Sequence, residues 1–367
     1  MQIIWGWMKT MTGKNPAILT KPSFVRKSLR FGDFLFYELL ILGYISSSNF
    51  IGRNMTNIII NGKEIEKTSE ITVCQKKTII KGSSLYDQGR KGHYLFKEGQ
   101  SFKIEPFTIG QYEVTQELYK AVLEGNNICD SNPSKFKFFP KEGEVQERRP
   151  VEQVTWYDAV FFCNELTKQT MGEEHCVYSI TDIKRSDKPA FHEPGAFEFV
   201  AFFDNVTVEQ YTGHGSKELQ YEESDKGYIY SAKVTADYRK KGYRLPTEAE
   251  WEFVARGGTE MGENLASENT SEVAWYSVNS EGRTHEVGLK KANDLGLYDM
   301  SGNVFEWCSD KYEHDFFDDG IVRFGKEYQT RGGDFSHNER LTSVARRYDC
   351  DAATRACSVG FRLARTF

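Results

Sequence analysis

The chain has 367 residues, of which 39% are hydrophobic and 27% charged. These are globular values that exclude a disordered or membrane-embedded composition. A net charge of −6, without clustered Lys and Arg, gives no pull toward nucleic acid or anionic lipid. The seven cysteines (Cys74, Cys129, Cys163, Cys176, Cys308, Cys350 and Cys357) form no CxxC or His-flanked spacing, which argues against a zinc cluster, and an odd count in a chain this long does not indicate a disulfide scaffold.

At the N-terminal end, Arg26, Lys27 and Arg30 precede an apolar run from Phe34 to Ile45, with Asp33 before it and Glu38 inside it. The run is too short to span a bilayer and resembles a signal h-region with an atypical charge. No cysteine follows it, which argues against a lipid-modified terminus. Residues 1–55 are therefore read as an uncertain segment, with Met55 a candidate start. Residues 56–104 read as a small β-rich part, with short runs at Ile58–Ile60 and Thr78–Ile80.

The pattern tightens in residues 105–367. Phe107–Gly110 predicts a strand, and Thr115 caps a helix over Gln116–Leu123. A loop follows at Asn132-Pro133. Thr155, with Asp158 three residues later, begins a second helix whose inner stripe is Ala159, Phe162, Cys163 and Leu166. Residues 177–241 form a polar, aromatic-rich insertion without a period. A third helix starts at the Thr247-to-Glu250 capping box and stops at Gly257-Gly258. From Trp275 onward the chain is Gly-punctuated, with short strand-like pieces. The fold class is α+β.

Ordered blocks carry a family resemblance. They are Gly110 to Gln116, Pro150 to Trp156, Gly242 to Glu252, Asn293 to Leu297, Tyr298 to Trp307, Arg331-Gly332-Gly333 and Gly360 to Leu363. Together they resemble the formylglycine-generating-enzyme (sulfatase-modifying factor) branch of the C-type lectin fold, a mixed unit rich in irregular structure. Trp251 and Trp307 are expected to anchor its core. The resemblance implies a calcium ion held by Asp299 and Glu306 with carbonyls of Gly302 and Val304, a donor set that suits a hard cation. The alternative is that both carboxylates cap turns and pair with nearby Arg.

Enzymes of this family use a copper-binding cysteine pair shortly after the Arg-Gly-Gly block. Here His337 and Thr342 stand near those positions, and Cys350 and Cys357 come later at a wider spacing. One imidazole cannot replace two thiolates for copper(I). An iron-dependent branch takes histidines from a helical domain, but the seven histidines here are scattered. No catalytic residue is assigned and no cofactor is required.

The last block, residues 331–367, also resembles the variable region of retroelement-diversified proteins, where an Asn codon is randomised at its adenines. A frame of small or basic residues alternates with candidate variable positions. These are Asp334, Phe335, Ser336, His337, Asn338, Arg340, Leu341, Arg346, Tyr348, Asp349, Cys350, Asp351, Thr354, Ala356, Cys357 and Ser358. None is Lys, Glu, Gln, Met or Trp, the types that such codons exclude. Val344, Ala345, Ala352, Val359 and Phe361 are expected to pack inward. Phe335, His337, Arg340, Tyr348, Asp349, Asp351, Thr354 and Ser358 are expected on one exposed face. The implied function is non-catalytic binding of an unknown protein or glycan, on the cell surface or secreted.

Overall fold

The computed structural model describes residues 52–60, 63–73, 78–81, 95, 101–138, 141–186, 227–258, 269–311 and 327–366. The apolar run Phe34–Ile45, the charges around it, Cys74 and the middle of the insertion lie outside the described residues.

Strand β1 (Gly52–Ile60) pairs antiparallel with β2 (Lys63–Val73). Met55 sits within β1, and Gly52, Arg53 and Asn54 before it are already paired. β2 lies on β5 (Phe107–Gly110), β5 on β13 (Ala364–Thr366), and β13 on β8 (Tyr243–Arg244), all antiparallel. The sheet order β1-β2-β5-β13-β8 thus sets the last strand between two that come far earlier. A small ribbon joins β3 (Thr78–Lys81) to β4 (Ser101–Ile104).

Three helices match their sequence signals. In α1 (Gln116–Leu123) the Thr115 hydroxyl accepts from Leu118 N at 3.2 Å. In α2 (Trp156–Thr170) and α3 (Glu248–Ala255) the reciprocal box is complete: Thr155 with Asp158, Thr247 with Glu250. Such caps satisfy amides that a short helix leaves unpaired at its start. A four-residue helix, α4 (Thr270–Val273), follows. Among the described residues, no helix is long and apolar enough to cross a membrane.

The ends of the insertion are not irregular. β6 (Tyr178–Ser186) and β7 (Tyr228–Ala236) form an antiparallel ribbon with register breaks after Thr181. Most of their side chains are exposed or half-buried on both faces, so no alternation of apolar and polar residues marks them. Both ends of the ribbon are tied to α2: Asn164 Nδ2 donates to the Tyr178 carbonyl at 2.7 Å, and the Asp158 carboxylate accepts from Ile229 N at 2.9 Å.

A second sheet, ordered β11-β10-β9-β12, carries the C-terminal region. It comprises β9 (Phe305–Lys311), β10 (Glu327–Arg331), β11 (Tyr348–Asp351) and β12 (Val359–Gly360). β12 runs parallel to β9, the other pairs antiparallel.

Two apolar clusters fill the domain. Leu118, Tyr119, Phe162, Leu166, Trp307 and Phe361 belong to one. Ile71, Phe107, Ile109, Trp251, Phe253 and Leu297 belong to the other. Trp251 and Trp307 are fully buried, as expected of core anchors. Two glycines have a steric reason: a Cβ on Gly302 would meet the Trp275 carbonyl at 2.0 Å, and one on Gly360 the Val151 carbonyl at 2.4 Å.

Candidate functional site

The C-terminal segment is held at both ends by buried arginines. Arg331 donates to Glu248 at 2.9 Å, to Glu252, and to the Val344 carbonyl at 2.7 Å. Arg362 forks onto both oxygens of Glu306 at 2.7 Å and also donates to the carbonyls of Gly110, Gln111 and Tyr298. Trp251 Nε1 donates to Glu306 as well, at 2.6 Å. Buried charges persist when paired and fully hydrogen-bonded, and a planar guanidinium suits that task. The arginines of the Arg-Gly-Gly and Gly-Phe-Arg-Leu blocks are therefore clamps.

Between the clamps, Val344, Ala345, Ala352, Val359 and Phe361 pack inward as expected. The expected exposed face, however, is only partly present. Phe335 is fully buried, edge-on to Phe136 at 5.2 Å and clustered with Cys357. His337 is buried against the rings of Phe305 and Tyr348, and its Nδ1 lies 2.8 Å from Asp334. Tyr348 is buried too, and its hydroxyl donates to the Leu341 carbonyl at 3.0 Å. Asp334, Leu341 and Ser358 are likewise inside. The reason is local geometry. Asp334 Oδ1 accepts from Ser336 N, Ser336 Oγ, His337 N and His337 Nδ1, and so turns the chain inward at once. Burial opposes the charged form of Asp334, yet His337 and the Ser336 donors outweigh it and hold the carboxyl below the usual range.

The remaining candidates form two rims. Ser336 and Asn338 are half-buried and Arg340 is exposed; this rim leans on Ser277, whose amide donates to the His337 carbonyl at 2.9 Å. On the second rim Asp351 is exposed, while Asp349, Cys350, Thr354 and Ala356 are half-buried. Period two along β11 sends Tyr348 and Cys350 to the core side and Asp349 and Asp351 to the other. Half-buried Arg346 stacks 5.3 Å above the Tyr348 ring.

The positions that family enzymes give to cysteine are built into the fold. His337 is packed as described, and buried Thr342 donates its hydroxyl to the Glu339 carbonyl at 2.9 Å. Burial pushes the Cys350 and Cys357 thiols up to about 12, against the thiolate that soft-metal binding or nucleophilic attack needs.

Of the residues expected to hold calcium, Glu306 is engaged by an arginine, while Asp299 Oδ1 is buried without a hydrogen-bond partner. The Arg362 guanidinium fills the fork of Glu306, and Asp299 Oδ2 accepts from Gly288 N at 2.7 Å. Val304 N donates to Glu113, and Gly302 N to the Gly332 carbonyl. Pairing with arginine is thus what Glu306 does. Sequence reasoning missed Glu113, a buried third carboxylate in the stretch between β5 and the Thr115 cap, which carries no signal for burial. Burial, then Asp299 and Glu306, raise its acid well above the ordinary value. Asp299 rises to about 6, mainly through burial.

Comparison with known proteins agrees with this architecture. The sulfatase-modifying factor enzyme 1-like domain matches residues 63–367. The "Chaperone protein LppX" of Paenibacillus barcinonensis is 33% identical over 231 residues, covering 58% of this chain and 64% of that protein. The "Inactive C-alpha-formylglycine-generating enzyme 2" of Bos taurus is 33% identical over 117 residues, covering 28% and 38%. The chain thus spans less than two thirds of the length of these relatives. Among solved structures, "Treponema denticola variable protein 1" superposes with a TM-score of 0.53 at 28% identity, covering 86% of this chain and 98% of that one. The chain belongs to the sulfatase-modifying factor family and has its formylglycine-generating-enzyme-like C-type lectin fold.

Proposed function

We propose that this domain is a non-catalytic binding protein whose two rims meet a ligand, at the cell surface or in secreted form. The observation that carries the reading is the fate of the enzyme positions. His337 and Thr342 have structural partners, and the nearest thiols, Cys350 and Cys357, are held protonated. A copper- or iron-dependent oxidoreductase of this family is the alternative; copper(I) would need thiolates near His337 and Thr342, and the iron-dependent branch takes its histidines from a helical domain.

Diversification is the finer part of the proposal. It is supported by residue types at the candidate positions and by likeness to a variable protein. The buried positions narrow it: Ser336, Asn338, Arg340, Arg346, Asp349, Asp351 and Thr354 are those whose replacement would change a ligand contact. Loops positioned by a rigid scaffold tolerate such change, and small polar residues beside aromatic ones suit adaptable recognition.

Two measurements test this. Incubation with a Cys-x-Pro-x-Arg peptide, copper and oxygen should leave the thiol intact by mass spectrometry; formylglycine formation refutes the non-catalytic reading. A near-copy of the C-terminal coding segment beside the gene, differing at adenines alone, is expected from diversification, and its absence would sink that part.

A further inference from the structure

The second rim does not stand alone. The turn after β11 is fastened to the start of α2 by main-chain bonds on both sides. Trp156 N donates to the Ala352 carbonyl at 3.0 Å, Gln153 N to the Ala356 carbonyl at 3.0 Å, and Arg355 Nε to the Gln153 carbonyl at 2.8 Å. Gln153 takes a φ of +61° to do this, a conformation that costs a residue with a Cβ. The strain lies where it sets the position of the turn.

The outcome is a juxtaposition of constant and variable residues. Tyr157, the next residue of α2, is half-buried and edge-on to Trp156 at 5.6 Å. The Trp156 N to Ala352 carbonyl bond sets Tyr157 and Asp351 on adjoining stretches of main chain, and burial, then the Asp351 charge, raise the Tyr157 hydroxyl above the ordinary value. Asp351 is exposed. Its Oδ1 accepts from Ala353 N at 2.8 Å, and Glu327 stands opposite it in the β10–β11 ladder. On the other side of the turn, the Arg355 guanidinium stacks on half-buried Tyr228 at 4.6 Å.

We propose that Tyr157 and Asp351 together receive a lysine or arginine side chain of a polypeptide partner, with Tyr157 as the constant aromatic floor and Asp351 as the variable selector of charge. An aromatic face and a carboxylate are complementary to an alkyl stem ending in a cation. The tyrosine lies outside the segment read as variable, so it serves whatever residue stands at 351. This inference rests on the binding reading and adds to it a chemistry and a fixed contact residue.

The test uses the full chain and three synthetic peptides of one sequence, carrying free lysine, acetyl-lysine or glutamate, measured by surface plasmon resonance at physiological salt. The free-lysine peptide should bind at least several-fold more tightly than the acetylated one. Asp351→Arg should reverse the preference toward the glutamate peptide. Tyr157→Ala should weaken free-lysine binding by about two- to fivefold, the size of an exposed cation–π contact, whereas Tyr157→Phe should retain it. Asp182→Asn, an exposed acid on the ribbon, should change nothing, separating the site from overall charge. Equal binding of free and acetylated peptides overturns the proposal, as does an unaffected Tyr157→Ala or an Asp182→Asn effect equal to that of Asp351→Asn. A ligand whose binding depends on Arg340 and ignores Tyr157 and Asp351 would refute this inference while leaving the binding reading in place.

Discussion

Arg331 and Arg362 belong to the same C-terminal segment as Arg340, yet the three residues have opposite fates. The first two are fully buried and spend their donors on Glu248, Glu252, Glu306 and main-chain carbonyls. Arg340 stands exposed in the middle of a three-residue turn of 3-10 helix. The difference teaches that this segment is two objects interleaved: a keel that holds the fold and a rim that the fold carries. Residue type does not separate them, because Phe335, His337 and Tyr348 are paratope-like in character and belong to the keel.

The comparison breaks first at the clamps. Arg331→Ala removes the fully buried cation shared by Glu248 and Glu252, leaving them Arg347 and Arg256 alone, and should cost about 3–5 kcal/mol in denaturant unfolding. A loss under about 1 kcal/mol would mean that the clamp is not a clamp. Phe335→Ala, inside the keel, should cost about 3–5 kcal/mol for a truncated aromatic. For the same reason, replacing Tyr348, Asp349 and Asp351 together by Ala should lower the midpoint, with Tyr348 responsible for most of the fall.

The acids around Arg362 sharpen the picture through pH. The Asp299 carboxyl lies at about 6 in the folded protein against an ordinary 3.8, so the fold holds that proton more tightly than the unfolded chain does. The stability this contributes is complete below about pH 4 and is lost as pH rises through about 6. Asp299→Asn keeps an acceptor for Gly288 N and suits the φ of +56° at this position. The variant should equal the wild type near pH 4 and exceed it above pH 7, by up to about 3 kcal/mol. Parallel stability curves for the two proteins would show that the carboxyl is ionised throughout. The smallest effect belongs to the rim: Arg340→Ala should move the midpoint by less than about 0.5 kcal/mol. A larger fall would place Arg340 in the keel and erase the distinction.

Much of the scaffold was legible because its signals are local. A hydroxyl three residues before a carboxylate states the start of α2 and of α3, and the caps are as read. Buried Trp251 and Trp307 followed from ordered motif blocks. The β6–β7 ribbon was not legible, since a ribbon exposed on both faces carries no alternation. The Arg362–Glu306 pair was not legible either, because the motif shows two carboxylates without saying what lies between them, and Arg362 is 56 residues from Glu306.

The chain by itself determined the helix starts, the α+β class, the family and the lack of cysteine at the enzyme positions. All of these are matters of residue type and short spacing. Only the tertiary structure decided which candidate variable residues face outward. Exposure depends on what packs from elsewhere: Phe136 over Phe335, Phe305 against His337, and the start of α2 against the turn after β11. A polar or aromatic residue in a loop is equally compatible with either fate until those distant partners close on it, because burial is set by long-range packing and not by the residue's own chemistry.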